Sequence, residues 1–378
     1  MLIHNTNDLN KFIADLGTPP YVAIDTEFIS EKTYYPQLCL VQVAYGDHAA
    51  VIDPLSDIDL NPLITFLENH NIVKVFHAAH QDLAIFWNNF KFSPTPVFDT
   101  QIAAMVCGYG DQVSYGQLVK SYTNTTLDKS AQIIDWSKRP LLKHHLKYAI
   151  ADVTNLGLVY EKLLEGISGG NRSGWITDEM ESLSISKRFE FNPETQMKKV
   201  KMRGLSRRRC VMLYELICWR EDRAKTQDIP RGWVLKDITL RDLVSNPPQN
   251  MGELERIRGI GGNARGQLGQ QLLERIRLSK TLPLSDCPLV DPPTSYEVPN
   301  ENALVLLRAL LKHACEKHKV APKLLASKSE LEEIAVGTKN RIAQGWRWEI
   351  FGKLADQLLK GQIALALVDG KMKFVPVS

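Results

Sequence analysis

Residues 21–28 read Tyr-Val-Ala-Ile-Asp-Thr-Glu-Phe, a short apolar, β-branched run that ends in two acids separated by one residue. The texture is that of a strand, and alternation along a strand sends Asp25 and Glu27 to the same face. Two carboxylates pushed onto one face repel each other unless a cation lies between them. A hard divalent ion such as Mg2+ or Mn2+ takes oxygen ligands of this kind. A lone D-x-E triplet is common, so its meaning depends on what the rest of the chain adds.

Moving outward, the runs Leu38–Tyr45, Ala49–Asp53 and Ile72–His77 have the same strand texture, with turn residues such as Tyr45-Gly46-Asp47 between them. The first three runs follow one another with short links, which predicts an antiparallel meander. The fourth comes only after Pro62–Asn71, a helix-like stretch, so the sheet is mixed and the fold is α/β without being doubly wound. Beyond Phe98 the texture turns helical over Thr100–Cys107, Tyr115–Ser121 and a long stretch from Leu141 to Glu165. The glycine-rich run 166–174 breaks that stretch and reads as a first linker.

From 167 to 210 the chain is a polar bridge whose end is basic, with Lys198, Lys199, Lys201, Arg203, Arg207, Arg208 and Arg209 against Glu194. A helical unit over 211–282 follows, then a Pro-rich linker over 283–299. A second helical unit spans 300–378, and its end at 363–377 suits either a helix end or a small hairpin. The two units share an order of long helix, Pro-basic pair (Pro230-Arg231, Pro322-Lys323) and second helix, which reads as one module repeated at about 92 residues. The domain expectation is therefore 1–166, bridge, 211–282, linker, 300–378.

Composition bounds the function. With 44% hydrophobic and 24% charged residues the 378-residue chain can bury ordinary cores. No apolar run approaches the roughly 18 residues that span a bilayer, and the first residues lack a signal-peptide pattern. The six cysteines form no C-x-x-C pair, which argues against a disulfide framework or a cysteine zinc site. A cytoplasmic protein is the expectation, with reduced thiols, no membrane association and no obligatory protein partner. The net charge of +3 hides an asymmetry, because residues 1–165 carry 11 Lys and Arg against 18 Asp and Glu while the rest carry 35 against 25. An acidic half joined to a basic half suits a chain that gathers cations at one end and holds a polyanion at the other.

Two more acidic positions join the first pair. In Phe76-His77-Ala78-Ala79-His80-Gln81-Asp82 a strand gives way to a helix, and Asp82 projects near the turn. In Tyr148-Ala149-Ile150-Ala151-Asp152, inside the long helical stretch, the i,i+4 spacing stacks a phenol and a carboxylate on one face. Neither segment speaks for a metal by itself.

Taken in order and at these separations, the three segments resemble the DEDD exonuclease superfamily in its tyrosine subgroup, on a ribonuclease H-like fold, and most closely the ribonuclease D family. Further residues carry the resemblance: Thr33–Leu38, Ile52–Leu55, Phe98–Gln101, Leu127–Ser130 and Asp135–Leu141. The unit at 211–282, with Trp219-Arg220-Glu221 and Pro230-Arg231, resembles an HRDC domain, and 300–378 resembles a diverged second copy. The fold expected is thus an α/β ribonuclease H-like exonuclease domain with a mixed sheet, followed by two small all-α HRDC-like domains. His80 departs from the family's pattern and is given no role.

The resemblance implies a 3′→5′ exoribonuclease that trims tRNA precursors and similar small RNAs and releases nucleoside 5′-monophosphates. Asp25, Glu27, Asp82 and Asp152 would hold two divalent ions, Mg2+ or Mn2+, about 3.5 to 4 Å apart. Tyr148 would orient the attacking water, since a phenol is a poor base at neutral pH. Thr26, Phe28, Gln37 and His77 would contact the terminal nucleotide. The same carboxylates would serve a DNA-directed exonuclease or survive in an inactive nucleic-acid-binding scaffold, and these remain the alternatives. Trp175, Trp219 and Trp233 are expected in cores rather than on base-stacking faces. Because every motif ends by Asp152, a fragment stopping near residue 205 is expected to keep the site.

Overall fold

The computed structural model describes residues 1–127, 134–170, 172–183, 185, 189–200, 204–261, 266–283 and 299–377. Asp128, Lys129, Ser130, Lys201, Arg203, Cys287 and the Pro-rich linker over 284–298 lie outside the described residues. The chain folds as two compact units, one made of Met1–Phe28, Leu38–Lys187 and Glu297–Ser378, the other of Ile29–Gln37 and Arg188–Tyr296.

The first unit is built on six strands: β1 (Leu2–Ile3), β2 (Tyr21–Ile29), β3 (Gln37–Tyr45), β4 (His48–Ile52), β5 (Val73–Phe76) and β6 (Val97–Asp99), in the order β1-β4-β3-β2-β5-β6. β3 and β4 pair antiparallel around Gly46, whereas β2–β5, β5–β6 and β1–β4 pair parallel, so the sheet is mixed. β3 is buried from Leu38 to Ala44, which is why it reads as a continuous apolar run rather than an alternation. Lys74, in the middle of β5, is fully buried, and its ammonium donates to the carbonyls of Asn69, Ile72 and Thr95 at 2.7, 2.9 and 2.6 Å. Three acceptors make that burial tolerable, and burial still pulls its pKa down to about 8.

Around the sheet lie α1 (Thr6–Leu16), α2 (Asn61–Glu68), α3 (His80–Phe90), α4 (Thr100–Val106), α5 (Tyr115–Thr123), α6 (Lys143–Thr154), α7 (Leu156–Gly169) and α8 (Ser173–Leu183). The single long helix expected over 141–165 is two helices, α6 and α7, parted at Asn155. The Asn155 amide donates to the Ala151 carbonyl at 3.4 Å, a side-chain bond that competes with the helical ladder. α7 also runs into the first four residues of the glycine-rich stretch, where the buried Ile167 anchors its last turn. α7 ends at Gly169 and α8 starts at Ser173.

The second unit holds α9 (Pro193–Lys199), α10 (Arg207–Gln227), α11 (Arg231–Val234), α12 (Asp237–Ser245), α13 (Met251–Glu255) and α14 (Gln267–Thr281). Leu213, Leu216, Ile217, Leu240, Leu272 and Ile276 form its core with Trp219, which is buried as expected. Trp233 is not: it is 62% exposed, in correction of the sequence reading.

Residues 297–378 return to the first unit as α15 (Glu301–His318), α16 (Pro322–Leu325), α17 (Lys328–Ala335), α18 (Gly345–Arg347), a π-helical turn and α19 (Lys353–Leu359). β7 (Ile363–Val368) and β8 (Lys371–Pro376) close them as a hairpin, which settles the reading of 363–377. Its turn, Asp369-Gly370, has positive φ at both positions, as a two-residue hairpin loop requires. The repeat offset is 91 rather than 92 residues. Left-handed Asp228 and Lys319 end α10 and α15, α11 and α16 begin at 231 and 322, and α12 and α17 begin at 237 and 328.

This last module is fastened to the preceding elements of its own unit. The Ala321 amide donates to the Met105 carbonyl at 2.9 Å, and the Lys323 amide to Asp111 at 2.8 Å. Arg172 donates to the carbonyls of His318 and Lys319 at 2.8 and 3.1 Å. Arg341 and the buried Arg347 converge on Glu179, and Trp175 stacks on Trp346 at 4.7 Å. Gly108 lies so close that a Cβ there would meet the Lys319 carbonyl at 2.9 Å. A fragment ending near residue 205 would lack all of this cover while keeping every motif through Asp152.

Candidate active site

β2 carries Asp25 and Glu27, and α6 carries Tyr148 and Asp152 one turn apart. The side chains of Asp25, Glu27 and Asp152 each offer an oxygen, and the three oxygens lie within 4.8 Å of one another. Asp82, in the first turn of α3, is buried and joins them electrostatically by helping to raise the pKa of Asp25. Its position is fixed by Thr26, whose hydroxyl donates to the Asp82 carboxylate at 2.5 Å. Alternation along β2 explains this division: Asp25 and Glu27 share one face, and Thr26 between them faces another partner.

The turn that delivers α3 is held by Asp99. Its carboxylate accepts from the amides of Ala78 and Ala79 at 3.0 and 2.9 Å, and from Gln101, in α4, at 2.8 Å. Ala78 has φ of 58°, a left-handed conformation that these bonds help to hold. Asp99 thus caps one helix and steadies the start of the one that bears Asp82. Sequence reading missed this role, as it missed Tyr115, whose hydroxyl donates to the Ala151 carbonyl at 3.1 Å, beside Asp152.

All four carboxylates are held above their ordinary range. For Asp25 the cause is burial first, then the charges of Asp82, Asp152 and Glu27. Burial, then Asp152 and Asp82, pushes Glu27 up to about 8. Burial raises Asp82 to about 7 against the Thr26 hydrogen bond, and Asp152 to about 6 against a hydrogen bond from Tyr148. Tyr148 is itself pushed up, by burial and then by Asp152 and Glu27, so its phenol keeps its proton. Four acids that resist ionisation mark a pocket with too little positive charge of its own. An all-oxygen donor set in that state fits hard divalent cations.

The remaining expected contacts are dispersed. Phe28 is half-buried on β2, and Gln37 is exposed at the start of β3 and belongs to the second unit. His77 is half-buried, with Nδ1 2.9 Å from the Thr100 hydroxyl and its ring 5.7 Å from Tyr115. Burial lowers its pKa to about 4, so it is neutral at physiological pH. Trp136 lies 6.1 Å from the Tyr148 ring and is buried.

Comparisons with known proteins agree with this geometry. The family model described as 3′-5′ exonuclease matches residues 2–168, and the HRDC domain model matches 212–276. Ribonuclease D of Jannaschia sp. (strain CCS1) is 41% identical, with 99% of each chain covered. Ribonuclease D of Gluconacetobacter diazotrophicus is 40% identical, with 100% of this chain and 97% of that one covered. The crystal structure of Escherichia coli RNase D, described as an exoribonuclease involved in structured RNA processing, superposes with a TM-score of 0.83 at 30% identity, covering 95% of this chain and 98% of that one.

Proposed function

The chain belongs to the ribonuclease D family, and from that premise we propose that this 3′→5′ exoribonuclease trims the 3′ ends of tRNA precursors and other small stable RNAs, releasing nucleoside 5′-monophosphates. The observation that carries the reading is the convergence of Asp25, Glu27 and Asp152 within 4.8 Å, with Asp82 coupled to Asp25. A scaffold that had lost activity would have no reason to keep four mutually repelling acids together.

Use of divalent metal follows from the family. Asp25, Glu27, Asp82 and Asp152 would hold two ions, Mg2+ or Mn2+. Bound there, they supply Lewis-acid activation of the attacking water and neutralisation of the leaving 3′ oxygen. The protein's own contribution is orientation. Thr26 fixes the Asp82 carboxylate by a hydrogen bond to one of its oxygens. Tyr148 stays a phenol throughout, so it orients the water by hydrogen bonding and does not deprotonate it. Phe28, half-exposed beside Glu27, offers a flat apolar surface to a base or sugar without reading its identity. His77, neutral, and Gln37 complete the proposed contacts to the terminal nucleotide.

The domain division belongs to the same proposal: exonuclease 1–166, bridge 167–210, HRDC domain 211–282, linker 283–299 and a second HRDC-like module 300–378. The two modules would supply sequence-independent phosphate contacts that weaken with salt. Among the described residues no helix is long and apolar enough to cross a membrane. We place the enzyme in the cytoplasm, with RNA bearing a free single-stranded 3′ end as its partner.

The test is incubation with matched 3′-tailed RNA and DNA, with and without Mg2+ or Mn2+, followed by product analysis. Metal-dependent 5′-monophosphates released from RNA well ahead of DNA support the reading. Equal rates on both favour the DNA-directed alternative, and no hydrolysis favours the scaffold.

A further inference from the structure

The segment Ile29–Gln37 belongs to the second unit and is fastened there by an unusually dense set of bonds. Asp228, the left-handed residue that ends α10, accepts from the backbone amides of both Tyr34 and Tyr35, at 3.0 and 3.1 Å. The Tyr34 hydroxyl donates to Glu221, whose carboxylate is almost fully buried, and Arg231 grips the same carboxylate through Nε and Nη2. Arg231 Nη2 also reaches the Tyr34 hydroxyl at 2.9 Å, while its guanidinium lies over the Tyr34 ring, 4.8 Å from the centroid. Lys225 lies over the same ring at 5.9 Å and over Phe191 at 5.4 Å.

Two aromatic side chains stand on this foundation and face water. Tyr35 packs edge-on against Tyr34 with centroids 4.7 Å apart and is 42% exposed. Trp233 follows Arg231 by two residues on the single turn of α11 and is 62% exposed. At the 91-residue offset its counterpart in the second module is Leu324, which is 4% exposed, so the module's architecture does not require an outward side chain there. The surroundings are cationic. Over residues 29–37 and 188–296 the sequence has 21 Lys and Arg against 14 Asp and Glu.

We infer that Tyr35 and Trp233 are base-stacking faces of the first helical module, and that their ligand is single-stranded RNA. Exposed rings interleaved with cations are what a sequence-tolerant single-strand site requires, since every base has a π-face and every linkage a phosphate. The Tyr34–Glu221–Arg231 network, with Glu221 buried at its centre, holds both rings on a fixed backbone, so little backbone freedom is lost on binding. This inference rests on the exoribonuclease reading and adds a place where the strand is gripped outside the carboxylate cluster.

The test uses the full chain and 5′-labelled oligo(A) and oligo(U), with binding followed by fluorescence anisotropy in chelator so that nothing is cleaved. Ala and Leu at either position should each weaken binding roughly tenfold, with Phe restoring most of the affinity, because a ring is needed rather than apolar area. The salt dependence should keep the wild-type slope, since no phosphate contact is removed. Thermal melting should match wild type, both rings being exposed. Leu variants that bind as well as wild type, a shallower salt slope, unaltered affinity throughout, or a lowered melting temperature would each overturn the assignment. Hydrolysis of the same strands by the wild-type chain in Mg2+ is followed alongside. Ring-dependent binding without hydrolysis would sink the exonuclease reading and leave this site standing.

Discussion

Asp53 and Arg139, 86 positions apart, form a two-point ion pair in which Nε meets Oδ2 and Nη2 meets Oδ1, both at 2.6 Å. The same guanidinium donates to the carbonyls of Trp136 and Cys39 at 2.7 and 3.1 Å. The pair thus ties the end of β4 to the loop whose Trp136 lies against the Tyr148 ring. Lysine at 139 would keep the charge and lose the fork. Arg139→Lys should cost about 1–2 kcal/mol in chemical denaturation and slow single-turnover hydrolysis, while Mn2+ affinity stays near wild type. Wild-type stability and rate together would remove Arg139 from the support of Tyr148.

Tyr148→Phe deletes one hydroxyl from a half-buried ring and leaves the carboxylates in place. Folding and metal binding should persist, and the single-turnover rate should fall by about a hundredfold or more. An unchanged rate would refute the orienting role.

Without metal, the folded chain holds protons on its acids to higher pH than the unfolded chain does. Glu27 does so up to about 8, Asp82 to about 7 and Asp152 to about 6, from starting values near 4. Stability from these groups is present at low pH and is lost as pH rises through those values. His77, lowered to about 4, works in the opposite sense below its unfolded value of 6.5. The clear window is therefore pH 6.5 to 8, where the metal-free melting temperature should fall and Mg2+ should stabilise more at the upper end than at the lower. A metal-free melting temperature that rises across this window would contradict the assigned protonation.

Deleting residues 297–378 should destabilise the remaining chain and lower its activity, because it uncovers Met105 and Trp175 and leaves Glu179 without Arg341 and Arg347. Differential scanning calorimetry on full and truncated chains checks this. Equal melting temperatures would show that the last module is an independent appendage.

The carboxylates of the candidate site were legible because each has a local signature: alternation for Asp25 and Glu27, i,i+4 spacing for Tyr148 and Asp152, a strand-to-helix switch for Asp82. Residues that position them were not, because Asp99 and Tyr115 act through backbone amides and a carbonyl about 20 and 36 positions away, and Arg139 pairs with Asp53, 86 positions away. The return of residues 297–378 to the first unit was equally hidden, since its docking runs largely through main-chain carbonyls at Met105, His318 and Lys319. β1 and β6, of two and three residues, are too short to show a period. Trp233 was misread because apolar character does not say which side of a single helical turn meets the core.

The most direct test follows a 5′-labelled RNA with a free 3′ hydroxyl, resolved by length over time, for the wild-type chain and for Asp25→Asn with and without Mg2+. The account predicts a ladder shrinking from the 3′ end only for wild type with metal, because losing a metal ligand costs several kcal/mol of transition-state stabilisation. Internal cuts, metal-independent trimming, or more than about a tenth of the wild-type rate in Asp25→Asn would contradict it.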